Sequence, residues 1–149
     1  MNKKIYILVA IFVFFVVQTS YCQILGKEIV GIASFYANMF DGRKTSSGEK
    51  FNNKELTAAH RTLPFNTMLE VTNPVTKKTI VVRVNDRGPY NRSRILDLTN
   101  RGAALLGFLS SGHTKVKIRI VGMEGMILLS KNEIITDMGD IVENNGTQQ

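Results

Sequence analysis

Apolar and polar residues alternate in several short segments of the chain, and this alternation predicts β-strands. It is strictest over residues 115–121, where valine and isoleucine alternate with lysine and arginine, the period of a strand with one buried and one solvated face. Shorter alternations cover residues 68–72 and 79–85, on either side of a turn that contains Pro74. Residues 30–37 mix β-branched, aromatic and small residues, which predicts an opening strand.

One helix is predicted among these strands. Thr99 can serve as its N-cap, residues 100–108 carry the apolar side chains of its buried face, and Ser-Ser-Gly at 110–112 ends it. Short strands separated by turns, with a single helix, predict a mainly β domain closed into a small barrel rather than an open parallel sheet. Further along the chain, residues 126–129 could form one more strand, and the polar residues 137–149 predict a disordered tail.

The N-terminus has the composition of a secretory signal peptide. Two lysines precede an apolar run of 13 residues, at 5–17. This length lies within the roughly 7–15 residues of a signal peptide's hydrophobic region and below the roughly 18 that span a bilayer. A membrane anchor is the alternative. Cys22 could carry a lipid, as in bacterial lipoproteins, but the bulky tyrosine before it favours ordinary cleavage before Gln23. We therefore expect residues 1–22 to be a signal peptide.

Composition and charge narrow the functional classes. Without Cys22 the exported chain has no cysteine, which excludes disulfides and thiolate metal sites. Residues 23–149 suffice for one domain with its own core, and their 17 basic and 12 acidic residues give a net charge of +5. This charge suits an anionic cell wall or a lipid headgroup surface, although it could serve solubility alone. Nucleic acid is a poor partner because no basic cluster is interleaved with aromatic residues.

Three polar residues in glycine-bearing loops or at strand ends are candidates for chemistry: Glu49, His60 and Asp86. Asp86 ends a predicted strand before a proline, but its carboxylate could merely bond nearby amides in an Asx-turn. Glu49 lies among hydroxyl residues and glycine suited to a sugar, or is a solvated side chain. His60 is either a functional imidazole or a structural histidine bonded to the backbone. Two carboxylates and an imidazole can move protons at a sugar oxygen, which indicates a carbohydrate-cleaving site.

The other polar residues indicate no further chemistry. Asp97 is flanked by apolar residues and is interpreted as an anchor for the start of the helix. His113 follows a glycine and should face solvent. Neither histidine has a second metal ligand at suitable spacing in its own segment, and the chain lacks a glycine-rich phosphate loop and a nucleophile elbow. No metal and no cofactor are expected.

Taken in order, these segments resemble the rare lipoprotein A family over residues 30–121. The first matching segment is Gly-Ile-Ala-Ser-Phe-Tyr, and the last, Ile-Leu-Asp-Leu-Thr, is similar to the Asp-Leu-Ser stretch that leads into the family's helix. The spacings of 11 residues from Glu49 to His60 and 26 from His60 to Asp86 also fit the family pattern. Gly102 stands where members often keep alanine, which indicates close packing. The five matching segments are 31–36, 45–51, 57–65, 85–90 and 95–99.

The resemblance implies a six-stranded double-psi β-barrel with one or two short helices over residues 23–122, and a partly disordered extension at 123–149. It also implies an endolytic lytic transglycosylase, which cleaves the β-1,4 bond between N-acetylmuramic acid and N-acetylglucosamine and leaves a 1,6-anhydro end, on glycan that could be free of stem peptides. By position, Asp86 matches the catalytic residue, and Glu49 and His60 match residues that support it. Residues expected to bind the substrate are Tyr36, Thr45, Ser46, Ser47, Asn85, Arg87 and Tyr90.

The chemistry of such a site sets expectations for its protonation states. Two neighbouring carboxylates push their pKa values apart, so Glu49 should be ionised while Asp86 stays protonated. Arg87 would oppose this by lowering the pKa of Asp86 unless its side chain points away.

Three other functions remain open at this point. They are a non-catalytic, expansin-like module that binds wall glycan, an interaction or inhibitor domain, and a plain glycoside hydrolase. In the preferred interpretation the protein is a monomer in the periplasm or cell wall, and its partner is peptidoglycan. It is attached to a membrane, as an outer-membrane lipoprotein, only if Cys22 is lipidated.

Overall fold

Six strands close into a barrel in the computed structural model, which describes residues 25–127, 133–135 and 141–143. A 3₁₀ turn (Asn38–Phe40) and one helix, α1 (Asn100–Leu105), accompany them. The prediction of a mainly β, six-stranded barrel with one or two short helices is therefore confirmed. The strands are β1 (Glu28–Phe35), β2 (Thr57–Ala59), β3 (Thr67–Thr72), β4 (Thr79–Asp86), β5 (Arg94–Leu98) and β6 (His113–Met123).

The order of the strands around the barrel is β1, β5, β2, β4, β3, β6, and β6 pairs back onto β1 to close it. β1 runs parallel to β5 and β2 runs parallel to β4, whereas the other neighbouring pairs of the barrel are antiparallel. One continuous row of paired residues crosses four strands, from Ser34 through Asp97 and Ala59 to Asp86. Polar residues from distant parts of the chain are thereby brought side by side.

The apolar residues of the predicted alternating segments fill the inside of the barrel. Alternate residues of β3, β4 and β6 are at most 2% exposed, and truncation of one of them, such as Ile118, to alanine should cost about 2–5 kcal/mol. On the outer face, Arg119 pairs with Glu70 at 2.5 Å and Lys117 pairs with Glu28 at 3.0 Å. The buried set is Leu69, Val71, Ile80, Val82, Val84, Val116, Ile118 and Ile120.

Helix α1 begins as predicted but ends earlier. The Thr99 hydroxyl oxygen accepts a hydrogen bond from the N–H of Gly102 at 3.3 Å, which caps the first turn. Gly107 has a φ of +75°, a left-handed conformation that favours glycine and ends helices, so the helix stops at Leu105. A Cβ at Gly102 would lie 3.4 Å from a side-chain carbon of β4. The close packing predicted there is confirmed.

Strands β2 and β5 were not predicted. They contain three and five residues, too few to establish a period of two. Both also lie inside the sheet with partners on each side, where residues of both faces can be buried and the alternation fades. All three residues of β2 are buried.

Further short strands follow the barrel. β7 (Met126–Ile127) pairs with β6, and β8 (Glu133–Ile135) pairs with β9 (Ile141–Glu143). β7 is the first half of the strand predicted at 126–129. β9 lies within 137–149, so the expected disorder does not hold for its three residues.

Several predicted features lie outside the described residues. These are residues 128–129, the remainder of 137–149, and the predicted signal peptide with Cys22. Within the described ranges, the structure has no helix with the length and apolar character needed to cross a bilayer.

Candidate active site

A cleft of about 550 Å³ opens where the row of polar residues reaches the end of the barrel. The end of β1 and the 3₁₀ turn contribute aromatic side chains, the following loop contributes basic and hydroxyl groups, and β4 and β5 contribute two carboxylates. The lining residues are Phe35, Tyr36, Ala37, Phe40, Arg43, Lys44, Thr45, Ser46, Phe51, Asp86, Arg87, Gly88, Tyr90, Arg94 and Asp97.

Asp86 lies in this cleft and is held by three uncharged donors. The Tyr36 hydroxyl donates to its Oδ2 at 2.7 Å, and the backbone N–H groups of Ser46 and Arg87 donate to its Oδ1, each at 2.8 Å. The first two donors are 50 and 40 residues away along the chain, so this is more than a local Asx-turn.

The hydrogen bonds decide the protonation state of Asp86. Burial acts to raise the pKa of Asp86, but the bonds from Ser46, Tyr36 and Arg87 stabilise the carboxylate, and the net effect lowers the pKa from its ordinary value. Asp86 is therefore ionised at neutral pH in the free protein. The expectation of a protonated Asp86 did not anticipate this cage of donors.

Tyr36 is fixed by aromatic packing so that its hydroxyl meets Asp86. Its ring centroid lies 4.5 Å from that of Phe51 and 5.9 Å from that of Phe40. Burial raises the pKa of Tyr36, and the hydrogen bond to the Asp86 carboxylate raises it further. Tyr36 consequently stays protonated and remains a donor throughout the neutral range.

Glu49 does not line the cleft, and an arginine neutralises it. Both of its oxygens accept from the Arg83 guanidinium, at 2.7 and 2.9 Å, and the Asn85 side chain donates to Oε2 at 3.0 Å. These bonds from Arg83 and Asn85 lower the pKa of Glu49 to about 2. Glu49 is ionised, as expected, but its charge holds the loop against β4, close to the point where Ser46 reaches Asp86.

His60 is also absent from the cleft lining and has a structural bonding pattern. Its Nδ1 accepts from the backbone N–H groups of Thr62 and Leu63 at 3.2 and 3.1 Å, and the residue is 9% exposed. Burial, with the charges of Arg61 and Arg87, lowers the pKa of His60 to about 4. A neutral imidazole therefore shapes the loop after β2, which is the structural alternative that the sequence left open.

The Arg87 guanidinium points away from Asp86, so only the Arg87 backbone reaches that carboxylate. Its Nη1 donates to the carbonyl oxygens of Leu63 at 2.9 Å and His60 at 3.3 Å, and its Cζ lies 3.8 Å from the Phe65 ring centroid. His60 therefore contributes indirectly: the loop whose shape it stabilises supplies the carbonyl oxygens that hold the Arg87 side chain.

The predicted substrate-binding residues divide into two groups. Tyr36, Thr45, Ser46, Arg87 and Tyr90 line the cleft, and Tyr90 is 88% exposed.

Ser47 and Asn85 lie behind the cleft lining. The Ser47 hydroxyl shares a hydrogen bond with that of Thr45 at 3.0 Å, and Asn85 is 2% exposed. Both stabilise the loop rather than face the opening.

Asp97 is a lining residue that the sequence did not indicate. It was interpreted as an anchor for α1, but Thr99 caps that helix. Asp97 instead accepts from the Ser34 hydroxyl at 2.6 Å and lies 3.6 Å from Arg94 Nε. The buried Leu96 and Leu98 on either side of it could have signalled a polar residue on the opposite face of β5. Within the described ranges, no cluster of three or more potential metal ligands is present.

The comparisons with known proteins agree with this fold. Residues 28–118 match the family described as lytic transglycolase, whose domain is a double-psi β-barrel. The chain belongs to this family. A lytic transglycolase relative, "Endolytic peptidoglycan transglycosylase RlpA" of Campylobacter jejuni, is 40% identical over 124 residues, which cover 80% of this chain and 45% of that protein.

Two further matches are one more RlpA relative and one solved structure. "Probable endolytic peptidoglycan transglycosylase RlpA" of a Nostoc species is 49% identical over 62% of this chain and 25% of its own length. The apo expansin of Clavibacter michiganensis superposes with a TM-score of 0.54 at 21% identity, over 64% of this chain and 50% of the expansin. The expansin likeness concerns the fold alone. The chain spans less than half the length of either RlpA protein.

Proposed function

We propose that this protein is an endolytic lytic transglycosylase of peptidoglycan. It cleaves the β-1,4 bond between N-acetylmuramic acid and N-acetylglucosamine and leaves 1,6-anhydro ends, with stem-peptide-free glycan as the candidate substrate. The observation that carries the proposal is Asp86, a cleft carboxylate held by three uncharged donors and by no cation within the described ranges. Membership of the lytic transglycolase family supports the reaction type.

Asp86 acts as acid and then as base in this mechanism. A bound glycan displaces water from the cleft, and this desolvation raises the pKa of Asp86 so that it takes up a proton. Asp86 gives that proton to the leaving glycosidic oxygen. It then removes the proton of the muramoyl 6-hydroxyl as this oxygen attacks the anomeric carbon of the same sugar. One bond breaks, one forms, and no water is consumed.

Asp97 assists as a second negative group in the same cleft. Charge of this sign favours the oxocarbenium-like transition state. Ser34 and Arg94 fix the Asp97 carboxylate through contacts of 2.6 and 3.6 Å.

We also propose that the mature protein is a monomer in the periplasm or cell wall. Removal of residues 1–22 as a signal peptide is part of this proposal. The intact mass of the mature protein distinguishes cleavage before Gln23 from lipidation at Cys22, because the lipid adds mass and moves the protein to the membrane fraction.

Digestion of purified glycan tests the activity. The purified protein is incubated with glycan strands stripped of peptide, and the products are weighed by mass spectrometry. We expect anhydro-muramoyl ends, each lighter by one water than a hydrolytic end. Asp86→Asn should lower their release at least about 100-fold, whereas the matched control Glu28→Gln, which removes a surface charge outside the cleft, should not.

The other outcomes of this digestion identify the rival functions. Products heavier by one water indicate a glycoside hydrolase. Glycan that pellets the protein without new ends, equally in wild type and Asp86→Asn, indicates an expansin-like binding module. Capture of a protein instead of glycan indicates an interaction or inhibitor domain.

A further inference from the structure

We propose that Arg43 and Lys44 form a carboxylate-binding subsite in the cleft, which recognises the lactyl group of the muramoyl sugar. We call these two residues the cationic wall. The inference rests on the proposed function, since it concerns how the same cleft selects its substrate. It goes further by naming the substrate group that is bound and the side chains that bind it.

The cationic wall carries charge that the described part of the protein does not neutralise. Both residues are exposed and both line the cleft. The ion pairs among the described residues involve other cations, namely Arg83, Arg94, Lys117 and Arg119. The charges of Arg43 and Lys44 are therefore available to a ligand in the cleft.

The wall is also held in place before any ligand binds. The N–H of Arg43 donates to the Phe40 carbonyl at 3.0 Å, and its carbonyl accepts from the N–H of Phe51 at 2.7 Å. The Arg43 guanidinium carbon lies 5.1 Å from the Phe40 ring centroid. Lys44 pairs with Lys50 in a β-bridge. A fixed backbone reduces the entropy lost when these side chains bind an anion.

The other cationic side chains that line the cleft already have partners within the protein. A substrate anion is therefore expected to bind at the cationic wall. Arg94 lies 3.6 Å from the Asp97 carboxylate, and the Arg87 guanidinium donates to backbone carbonyl groups. Asp86 would repel an anion bound directly beside it. The cleft thus has an acidic part around Asp86 and Asp97 and a basic part on the loop.

The spacing suits a single sugar residue. Lys44 lies two positions before Ser46, whose N–H donates to Asp86, and two residues of chain span at most roughly 7 Å. In peptide-free glycan, the one ionised group of the repeating disaccharide is the lactyl carboxylate on carbon 3 of the muramoyl ring. With its anomeric carbon at Asp86, that sugar can direct the carboxylate to the cationic wall. Attachment of a stem peptide turns this carboxylate into a neutral amide.

A pair of glycans that differ only in this charge tests the inference. One is peptide-free glycan, and the other is the same material coupled to methylamine through a carbodiimide, so that each lactyl carboxylate becomes a small neutral amide. We expect wild type to release anhydro ends from the free acid about 5- to 10-fold faster, and to bind it more tightly, as for one charge-assisted hydrogen bond near the surface. The preference should weaken as salt is raised.

The double variant Arg43→Gln, Lys44→Gln should abolish the preference, so that the free acid and the amidated glycan are bound and cleaved alike. The matched control, Lys78→Gln with Lys115→Gln, removes two exposed charges outside the cleft and should keep it. Equal cleavage and binding of both glycans by wild type, or an unchanged preference in the Arg43 and Lys44 variant, would overturn the inference. Absence of anhydro ends from either glycan would instead count against the proposed function, and the binding measurement would still decide the subsite.

Discussion

The carboxylates of Asp86 and Glu49 both connect strand β4 to the loop that contains Ser46, one from the strand and the other from the loop. Asp86 belongs to β4 and accepts from Ser46 of the loop, whereas Glu49 belongs to the loop and accepts from Arg83 and Asn85 of β4. Both have a lowered pKa. They differ in the partner that stabilises the charge.

The difference separates a carboxylate that is available for chemistry from one that is part of the scaffold. Glu49 shares two hydrogen bonds with a guanidinium, so its charge is neutralised locally and its proton affinity is low. Asp86 is held by a phenol and two amides, which orient it without cancelling its charge. A substrate that excludes water can therefore still change the proton affinity of Asp86, while the Arg83 pair keeps Glu49 ionised.

The same substitution at the two sites should have opposite consequences. Asp86→Asn should lower the release of anhydro ends at least about 100-fold and change the free energy of unfolding by less than about 1 kcal/mol. Glu49→Gln should cost about 1 kcal/mol of stability and change the activity of the folded protein only a few-fold. Product mass spectrometry and urea unfolding of both variants measure the two effects. An equal loss of activity in well-folded Glu49→Gln would assign Glu49 to the chemistry.

Removal of the arginine from the Arg83–Glu49 ion pair should also lower the free energy of unfolding. Arg83→Met leaves the Glu49 carboxylate with Asn85 alone and should cost about 2 kcal/mol. We keep this figure modest because the Glu49 side chain is 40% exposed, against 17% for Arg83. Urea unfolding provides the measurement. The double variant Arg83→Met, Glu49→Gln should lose less than the sum of the single changes, and strict additivity would mean that the two residues are not coupled.

The sequence indicated the elements whose pattern is local. The strict alternation of β3, β4 and β6 gave three barrel strands, and Asp86 was found because a strand must end before Pro89. β2 and β5 could not be found in this way, since their pairing partners come from distant segments and their lengths are too short for a period to appear.

The partners of each side chain could be predicted less well than the side chains themselves. Nothing local to Glu49 indicates that Arg83, 34 residues away, neutralises it. His60 was predicted to be either a functional or a structural histidine, and its bonding to the backbone of its own loop could not be foreseen because it depends on how that loop turns. Asp97 enters the cleft because β5 lies between β1 and β2, which is a property of the barrel order and not of the residues around Asp97.

The Tyr36 hydroxyl is one of the donors that stabilise the charge of Asp86, together with the N–H groups of Ser46 and Arg87, and its removal should shift the pH dependence of cleavage. Tyr36→Phe deletes the hydrogen bond to Oδ2 but keeps the ring against Phe51. The pKa of Asp86 should then rise. Because the proposed mechanism requires a proton on Asp86 in the bound complex, kcat should decline at a higher pH than in wild type, with a change of less than about tenfold at neutral pH. A pH profile of kcat identical to wild type would show that Tyr36 does not tune Asp86. Phe35→Leu, an apolar change in the same cleft, is the control.

The smallest expected effect lies in the acid stability of the scaffold, where Glu49 and His60 should act in different pH windows. The pKa of Glu49 falls from 4.5 to about 2 on folding, so its stabilisation is complete above pH 4.5 and is lost as the pH falls toward 2. The pKa of His60 falls from 6.5 to about 4 because the buried imidazole is kept neutral, so stability is lost as the pH falls from 6.5 toward 4.

Unfolding free energies measured across this range should therefore lose slope between pH 6.5 and 4 in His60→Gln, and between pH 4.5 and 2 in Glu49→Gln. Each change should amount to about 1 kcal/mol, since solvent screens the half-exposed Glu49 pair and the loop around His60 can relax. If Glu49→Gln removed the slope of the upper window instead, Glu49 would titrate there and its pKa would not be lowered by Arg83, so the contrast with Asp86 would lose its basis.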